Sequence, residues 1–140
     1  MQPYQATVIA ISGRAVLIEG DPGSGKSSLA LALIDRGAQL IGDDGVMLAV
    51  RQGQLYASPH PNTRGLIEVR NLGIVTMPIC EEARAALVLK LDKQAPPFIE
   101  SAEQTERLGI PLPLVALWPD SPVLAIRAEL ALTTYGLAEP

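Results

Sequence analysis

The sequence has 140 residues, 48% of them hydrophobic and 19% charged, which suits one ordinary domain and excludes two domains with separate cores. Eleven Lys and Arg against 15 Asp and Glu leave a net charge of −4, so there is no basic field to hold a polyanion and nucleic acid is not an expected partner. The single Cys80 excludes an intramolecular disulfide framework and a Cys-rich zinc site, and it fits a reducing compartment.

Residues Ala6–Ile11 form a short, β-branched apolar run, separated by Ser12-Gly13-Arg14 from a second run, Ala15–Ile18. Together they predict a hairpin leading into Gly20. From Lys26 to Arg36 the composition turns to Ala, Leu and Ile without a breaker, and Gly37 follows where a left-handed cap belongs, which predicts a three-turn helix. Its Leu29–Ile34 stretch is the longest purely aliphatic run, far short of the roughly 18–20 residues a membrane span needs. No Lys or Arg precedes Ala6, so a secretory signal is poorly supported and a cytoplasmic protein with no membrane partner is expected.

Leu40-Ile41 predicts a buried strand ending in Gly42-Asp43-Asp44, which puts two carboxylates at the strand edge where α/β sheets bind ligands. Val46–Val50 and Gln54–Ala57 flank Arg51-Gln52-Gly53 as another hairpin, followed by the loop Ser58-Pro59-His60-Pro61-Asn62. Further strands are expected at Leu66–Val69 and Leu112–Trp118, while the pattern of Ala85–Leu91 allows strand or helix and Leu87-Val88-Leu89 favours strand. Ser121-Pro122 forms an N-cap and N1 pair opening a helix to about Tyr135. The whole reads as an α/β single domain over residues 1–140, a central sheet with hairpins and a few helices.

Gly20-Asp21-Pro22-Gly23-Ser24-Gly25-Lys26-Ser27 satisfies every fixed position of the phosphate-loop pattern, and a predicted strand and helix flank it as the mechanism requires. Glycines let the backbone wrap an anion with its N–H groups turned inward, and the helix N-terminus adds positive potential there. Lys26 is expected to reach the β- and γ-phosphates and Ser27 to join a Mg2+ shell, with Ser28 completing the nucleotide-binding set. Asp43 and Asp44, 17 and 18 residues after Lys26, close a compact βαβ unit. One of them is expected to face the phosphate and the other to anchor the loop.

The phosphate loop, Leu33-Ile34-Asp35-Arg36-Gly37, Asp43-Asp44, Leu66-Ile67-Glu68-Val69-Arg70-Asn71-Leu72-Gly73-Ile74 and Arg107-Leu108-Gly109 together resemble the catalytic domain of HPr kinase/phosphorylase in its short, single-domain form. The resemblance runs from about Ala6 to Tyr135. It implies a P-loop fold of the PEP carboxykinase-like, HPr kinase type. It also implies an enzyme that uses ATP and Mg2+ to phosphorylate a serine of HPr, the phosphocarrier of the sugar phosphotransferase system, and that can run phosphorolysis. Carried over residue by residue, Asp44 is the proton acceptor, Lys26 the phosphate-binding lysine, Ser27 and Glu68 the metal-site residues and Arg107 a catalytic arginine. Homo-oligomers are also implied, hexamers in the long forms.

Three departures qualify that likeness. Gln5 stands where the family carries a catalytic histidine, and glutamine cannot shuttle a proton at neutral pH. Trp118-Pro119-Asp120-Ser121-Pro122 lacks the arginine of the long forms' dephosphorylation loop, so weak phosphorolysis is expected. The sequence ends at Pro140 without the extension long forms use around their partner, so a different substrate surface is expected.

Cys80 is expected as a buried structural thiol, His60 as a surface or turn residue, and Glu100, Glu103 and Glu106 as a solvated or mobile loop. Two other functions compete with the kinase. Gln5 favours a nucleotide-binding regulatory module that has lost turnover, and the phosphate loop alone allows a P-loop kinase or NTPase acting on a small molecule.

Overall fold

The computed structural model describes residues 1–139; Pro140, the last residue of the expected domain, lies outside the described residues. Eleven strands and two helices follow one another as β1 Gln2–Tyr4, β2 Thr7–Ile11, β3 Arg14–Gly20, α1 Lys26–Asp35, β4 Gln39–Gly42, β5 Val46–Arg51, β6 Gln54–Pro59, β7 Leu66–Val69, β8 Gly73–Thr76, β9 Ala83–Leu91, β10 Glu103–Arg107, β11 Ile110–Leu117 and α2 Leu124–Tyr135. Nine strands form one sheet in the order β1-β5-β6-β9-β3-β2-β4, with β11 joining β9 and carrying β10 at its far edge. β7 and β8 make a separate hairpin.

The centre of the sheet is parallel. β9 pairs in parallel with β3 on one side and, over Val88–Leu91, with β11 on the other, while its first residues pair antiparallel with β6. β2 lies antiparallel to both β3 and β4, so β4 runs in the direction of β3. The carboxyl ends of β3, β4, β9 and β11 therefore share one edge, the place where an open α/β sheet binds its ligand.

Alternation along these strands builds two apolar layers. Val16 and Ile18 of β3 and Leu87, Leu89 and Leu91 of β9 pack with Leu29, Ala30 and Leu33 of α1 and with Ala128, Ala131 and Leu132 of α2. Ala15, Leu17 and Val88 face the other side, where the curled β5–β6 hairpin covers them with Val46, Leu48, Leu55 and Ala57. β9 is buried on both faces over Ala85–Leu89, which explains its near-continuous apolar run.

The expected strands and hairpins are all present, and Gly37 caps α1 at φ 108°. Four details differ. α2 starts at Leu124, because Ser121 Oγ accepts the Val123 N–H in a turn just before the helix instead of capping it at Pro122. Glu103 and Glu106 belong to β10 and not to a mobile loop: Glu103–Arg107 registers against Ile110–Leu114, although both carboxylates stay exposed. β1 and β8 were not expected; each is a short edge strand whose pattern is too brief to read. Cys80 is half-buried, its Sγ donating to the Glu82 carbonyl at 3.3 Å. Among the described residues, no helix is long and apolar enough to cross a membrane.

Candidate functional site

β3 delivers its last residue, Gly20, to the ligand edge, and the chain turns at once through residues 21–25 into α1. The turn depends on Gly25, the residue before the helix, whose φ of 102° an L side chain rarely adopts. Among the described residues no side chain caps α1, and no acidic residue occupies its first turn, so its leading N–H groups have no side-chain acceptor there. Lys26 folds back over the loop and donates to the carbonyls of Gly20 at 3.0 Å and Asp21 at 3.1 Å.

The end of β4 supplies the second half of the site. Gly42 packs so closely that a Cβ there would lie 2.4 Å from the Gly45 carbonyl oxygen and 2.7 Å from Val46 Cγ1. Replacement of Gly42 by alanine is therefore expected to push the Asp43-Asp44 turn out of place, with a loss of about 1–3 kcal/mol in denaturant unfolding and of ligand binding at the turn. Asp43 is the organising carboxylate. Its Oδ1 accepts from Ser27 Oγ at 2.6 Å and Thr7 Oγ1 at 3.2 Å, and its Oδ2 accepts the Glu68 N–H at 2.9 Å. Thr7 is fully buried, and its hydroxyl also accepts the Asp44 N–H at 3.2 Å.

Asp44 behaves differently. It sits in the left-handed region at φ 61°, which Asp tolerates better than most residues, and its side chain is exposed. Among the described residues, its carboxylate has one hydrogen-bond partner, Gln5 Nε2 at 3.4 Å. Asp43 thus anchors the loop to β2, α1 and β7, while Asp44 is left to face the cleft.

These groups line a cleft of about 470 Å3 that takes in Gly20, Gly25, Lys26, Ser27, Ser28, Asp43, Asp44 and Glu68, together with Pro22 and Gly23 of the loop. Asp21 and Ser24 border a neighbouring cleft of about 560 Å3 on the other side of the loop, with Lys90, Lys93 and Pro119.

The model of the HPr serine kinase C-terminal domain matches residues 2–110. The chain belongs to that family. An HPr kinase/phosphorylase of Chlorobium chlorochromatii is 34% identical over 131 residues, covering 83% of this chain and 39% of the relative. One of Clostridium tetani is 42% identical over 71 residues, covering 51% and 23%. The chain thus spans well under half the length of these curated relatives. The solved structure described as the Hpr(Ser) kinase/phosphatase from Coxiella burnetii superposes with a TM-score of 0.85 at 28% identity, over 95% of each chain. The P-loop fold of the HPr kinase type is therefore that of this chain too.

Within this HPr serine kinase domain, one expected site residue stands apart. Arg107 at the end of β10 is outside the cleft lining and is engaged by Glu19, Nε to Oε2 at 3.0 Å and Nη2 to Oε1 at 2.6 Å. The Tyr4 hydroxyl donates to the same carboxylate at 2.5 Å. Burial and that bond push the Tyr4 phenol up to about 12, and the Glu19 hydrogen bond raises Arg107 still further above its ordinary value.

His60 is a turn residue, its Nδ1 accepting the Asn62 N–H at 3.1 Å, and it does not reach the cleft. Tyr4, Thr7, Glu19 and Arg70 line the cleft without having been singled out from the sequence. Thr7 left one faint signal, a hydroxyl opening an otherwise apolar buried strand; the others are edge or strand-end residues whose neighbours only the fold supplies.

Proposed function

We propose that this chain is a cytoplasmic ATP- and Mg2+-dependent kinase that phosphorylates a serine of the phosphocarrier HPr. The observation that carries the reading is the convergence on one cleft of an uncapped helix N-terminus, Lys26, the Ser27–Asp43 pair and the exposed carboxylate of Asp44.

The residues suit a nucleotide. Ser24 Oγ is buried and, among the described residues, has no hydrogen-bond partner, and a Cβ on Gly20 would lie 2.7 Å from it, so the loop keeps an unanswered polar atom beside an anion cradle. Lys26 and the first-turn N–H groups would hold the β- and γ-phosphates, and the neighbouring cleft has room for the nucleoside. Among the described residues, no group of three or more His, Cys, Asp or Glu is arranged to hold a metal alone. That agrees with Mg2+, which takes one or two protein ligands and completes its shell with water and phosphate. Ser27, Asp43 and Glu68 are the residues that would hold it, and once bound it would supply neutralisation of the phosphate charge.

Asp44 takes the proton of the attacking seryl hydroxyl, since a hydroxyl is a weak nucleophile until a base accepts its proton. Asp43 is committed elsewhere, to its three hydrogen bonds and to the metal it would help hold. Gln5 steadies the Asp44 carboxylate but cannot carry a proton onward, which favours the forward direction over phosphorolysis and leaves a turnover-impaired regulatory module as the second reading.

Transfer of labelled γ-phosphate from Mg·ATP to purified HPr separates the two. Phosphoserine on HPr is the expected result, with Gln5→His changing the rate of the reverse reaction more than the forward one. Tight nucleotide binding without transfer, and transfer restored by Gln5→His, would instead establish the binding module.

A further inference from the structure

Glu19 is the next-to-last residue of β3, directly before Gly20 of the phosphate loop, and lines the cleft that holds Lys26 and Asp44, yet the phosphate chemistry above gives it no task. A carboxylate there brings negative charge into a site built for anions, which opposes binding unless a cation cancels it. The cation is Arg107, whose bidentate pair with Glu19 is only 18% and 20% exposed at the two side chains. Arg107 is fixed from behind as well: Nη1 donates to Thr105 Oγ1 and to the Glu106 carbonyl, both at 2.7 Å.

The carboxylate also gathers peripheral elements. Among the described residues β10 pairs only with β11, and β1 only with β5, so both sit at the margins of the sheet. The Arg107 pair and the Tyr4 hydroxyl bring both margins to the end of β3. Gln5, the residue after Tyr4, then reaches Asp44.

We propose that Glu19 is a positioning residue of the phosphate cleft: with Tyr4 it holds Arg107 against its own carboxylate from outside the cleft lining, and Arg107 cancels the charge Glu19 would otherwise present to a bound nucleotide. The proposal rests on the nucleotide-binding part of the reading above and not on the identity of the acceptor.

An ion pair serving the cleft in this way gives an asymmetry that a purely structural pair does not. Arg107→Ala exposes the Glu19 charge to the nucleotide, so Mg·ATP affinity falls about tenfold, the uncancelled partner being the main penalty of a broken pair. The double variant Glu19→Gln/Arg107→Ala removes that charge and returns affinity to within about twofold of wild type. Glu19→Gln alone binds Mg·ATP at least as tightly as wild type but loses about tenfold or more in turnover, because Arg107, the arginine to which the resemblance gives a catalytic role, no longer has a bidentate anchor.

The test is calorimetric titration of all four proteins with Mg·ATP, with melting curves to establish folding and transfer to HPr to read turnover. Arg107→Gln carries the same expectation should Arg107→Ala fail to fold. Equal weakening in Arg107→Ala and the double variant, or weakened binding or unchanged turnover in Glu19→Gln, overturns the proposal. If the wild-type chain binds Mg·ATP but transfers nothing to HPr, the kinase reading fails, while the order of affinities still decides the role of Glu19. If it binds no nucleotide, the phosphate-cleft reading fails and the proposal falls with it.

Discussion

Replacing Lys26 by methionine is expected to lower phosphoryl transfer by at least about 100-fold, the scale on which a positioned electrostatic group acts in the transition state. The ammonium group is held at the mouth of the loop by the Gly20 and Asp21 carbonyls, beside the space the proposed nucleotide would take. Methionine keeps most of the aliphatic stem and removes the charge. The two lost hydrogen bonds go to partly exposed carbonyls that water can satisfy, so the unfolding midpoint should fall by only a few degrees. Steady-state transfer assays paired with thermal melts check both halves. A loss under tenfold with unchanged nucleotide affinity would remove Lys26 from the chemistry.

Asp44→Asn is expected to cut transfer by about 100- to 10,000-fold while Mg·ATP binding and the melting temperature stay close to wild type. The backbone makes this a clean experiment. At φ 61° the position needs a residue that accepts the left-handed region, and Asn does so as readily as Asp. The carboxamide can still accept from Gln5 through Oδ1, but it cannot take a seryl proton. Asp43→Ala should behave otherwise, since it strips a fully buried Thr7 hydroxyl, the Ser27 hydroxyl and the Glu68 N–H of their acceptor. A cost of about 1–3 kcal/mol in stability should accompany its loss of activity. If Asp44→Asn kept wild-type transfer, the proton acceptor would have to be sought elsewhere in the cleft.

The phosphate loop was legible because its demands are local. Glycines, Lys26 and Ser27 must follow one another at fixed spacing between a strand and a helix, and all of that lies within one stretch of sequence. The strands expected at Leu66–Val69 and Ala85–Leu91 were legible because burial imposes an apolar run or alternation that shows in composition, although for Ala85–Leu91 the run alone fitted a helix as well and Leu87-Val88-Leu89 decided it. β10 was misread for the opposite reason. Its residues Glu103, Gln104 and Glu106 are polar because this edge hairpin is exposed to water on both faces there, and only the pairing with β11 makes them a strand.

What the sequence by itself determined is the α/β class, the glycine-rich loop between a strand and a helix, and the presence of two carboxylates at a strand end. What the tertiary structure decided is how those parts divide the work. Asp43 became the anchor because β2, α1 and β7 converge on it with three donors, and Asp44 was left to the cleft because its left-handed backbone turns it away from them. Glu19, Tyr4 and Arg107 are separated by 15 and 88 positions along the chain and meet only where the sheet brings two margins to the end of β3. Hydrogen bonding and charge cancellation act over a few ångströms of space, and the distance between residues in sequence carries no record of which of them will be neighbours.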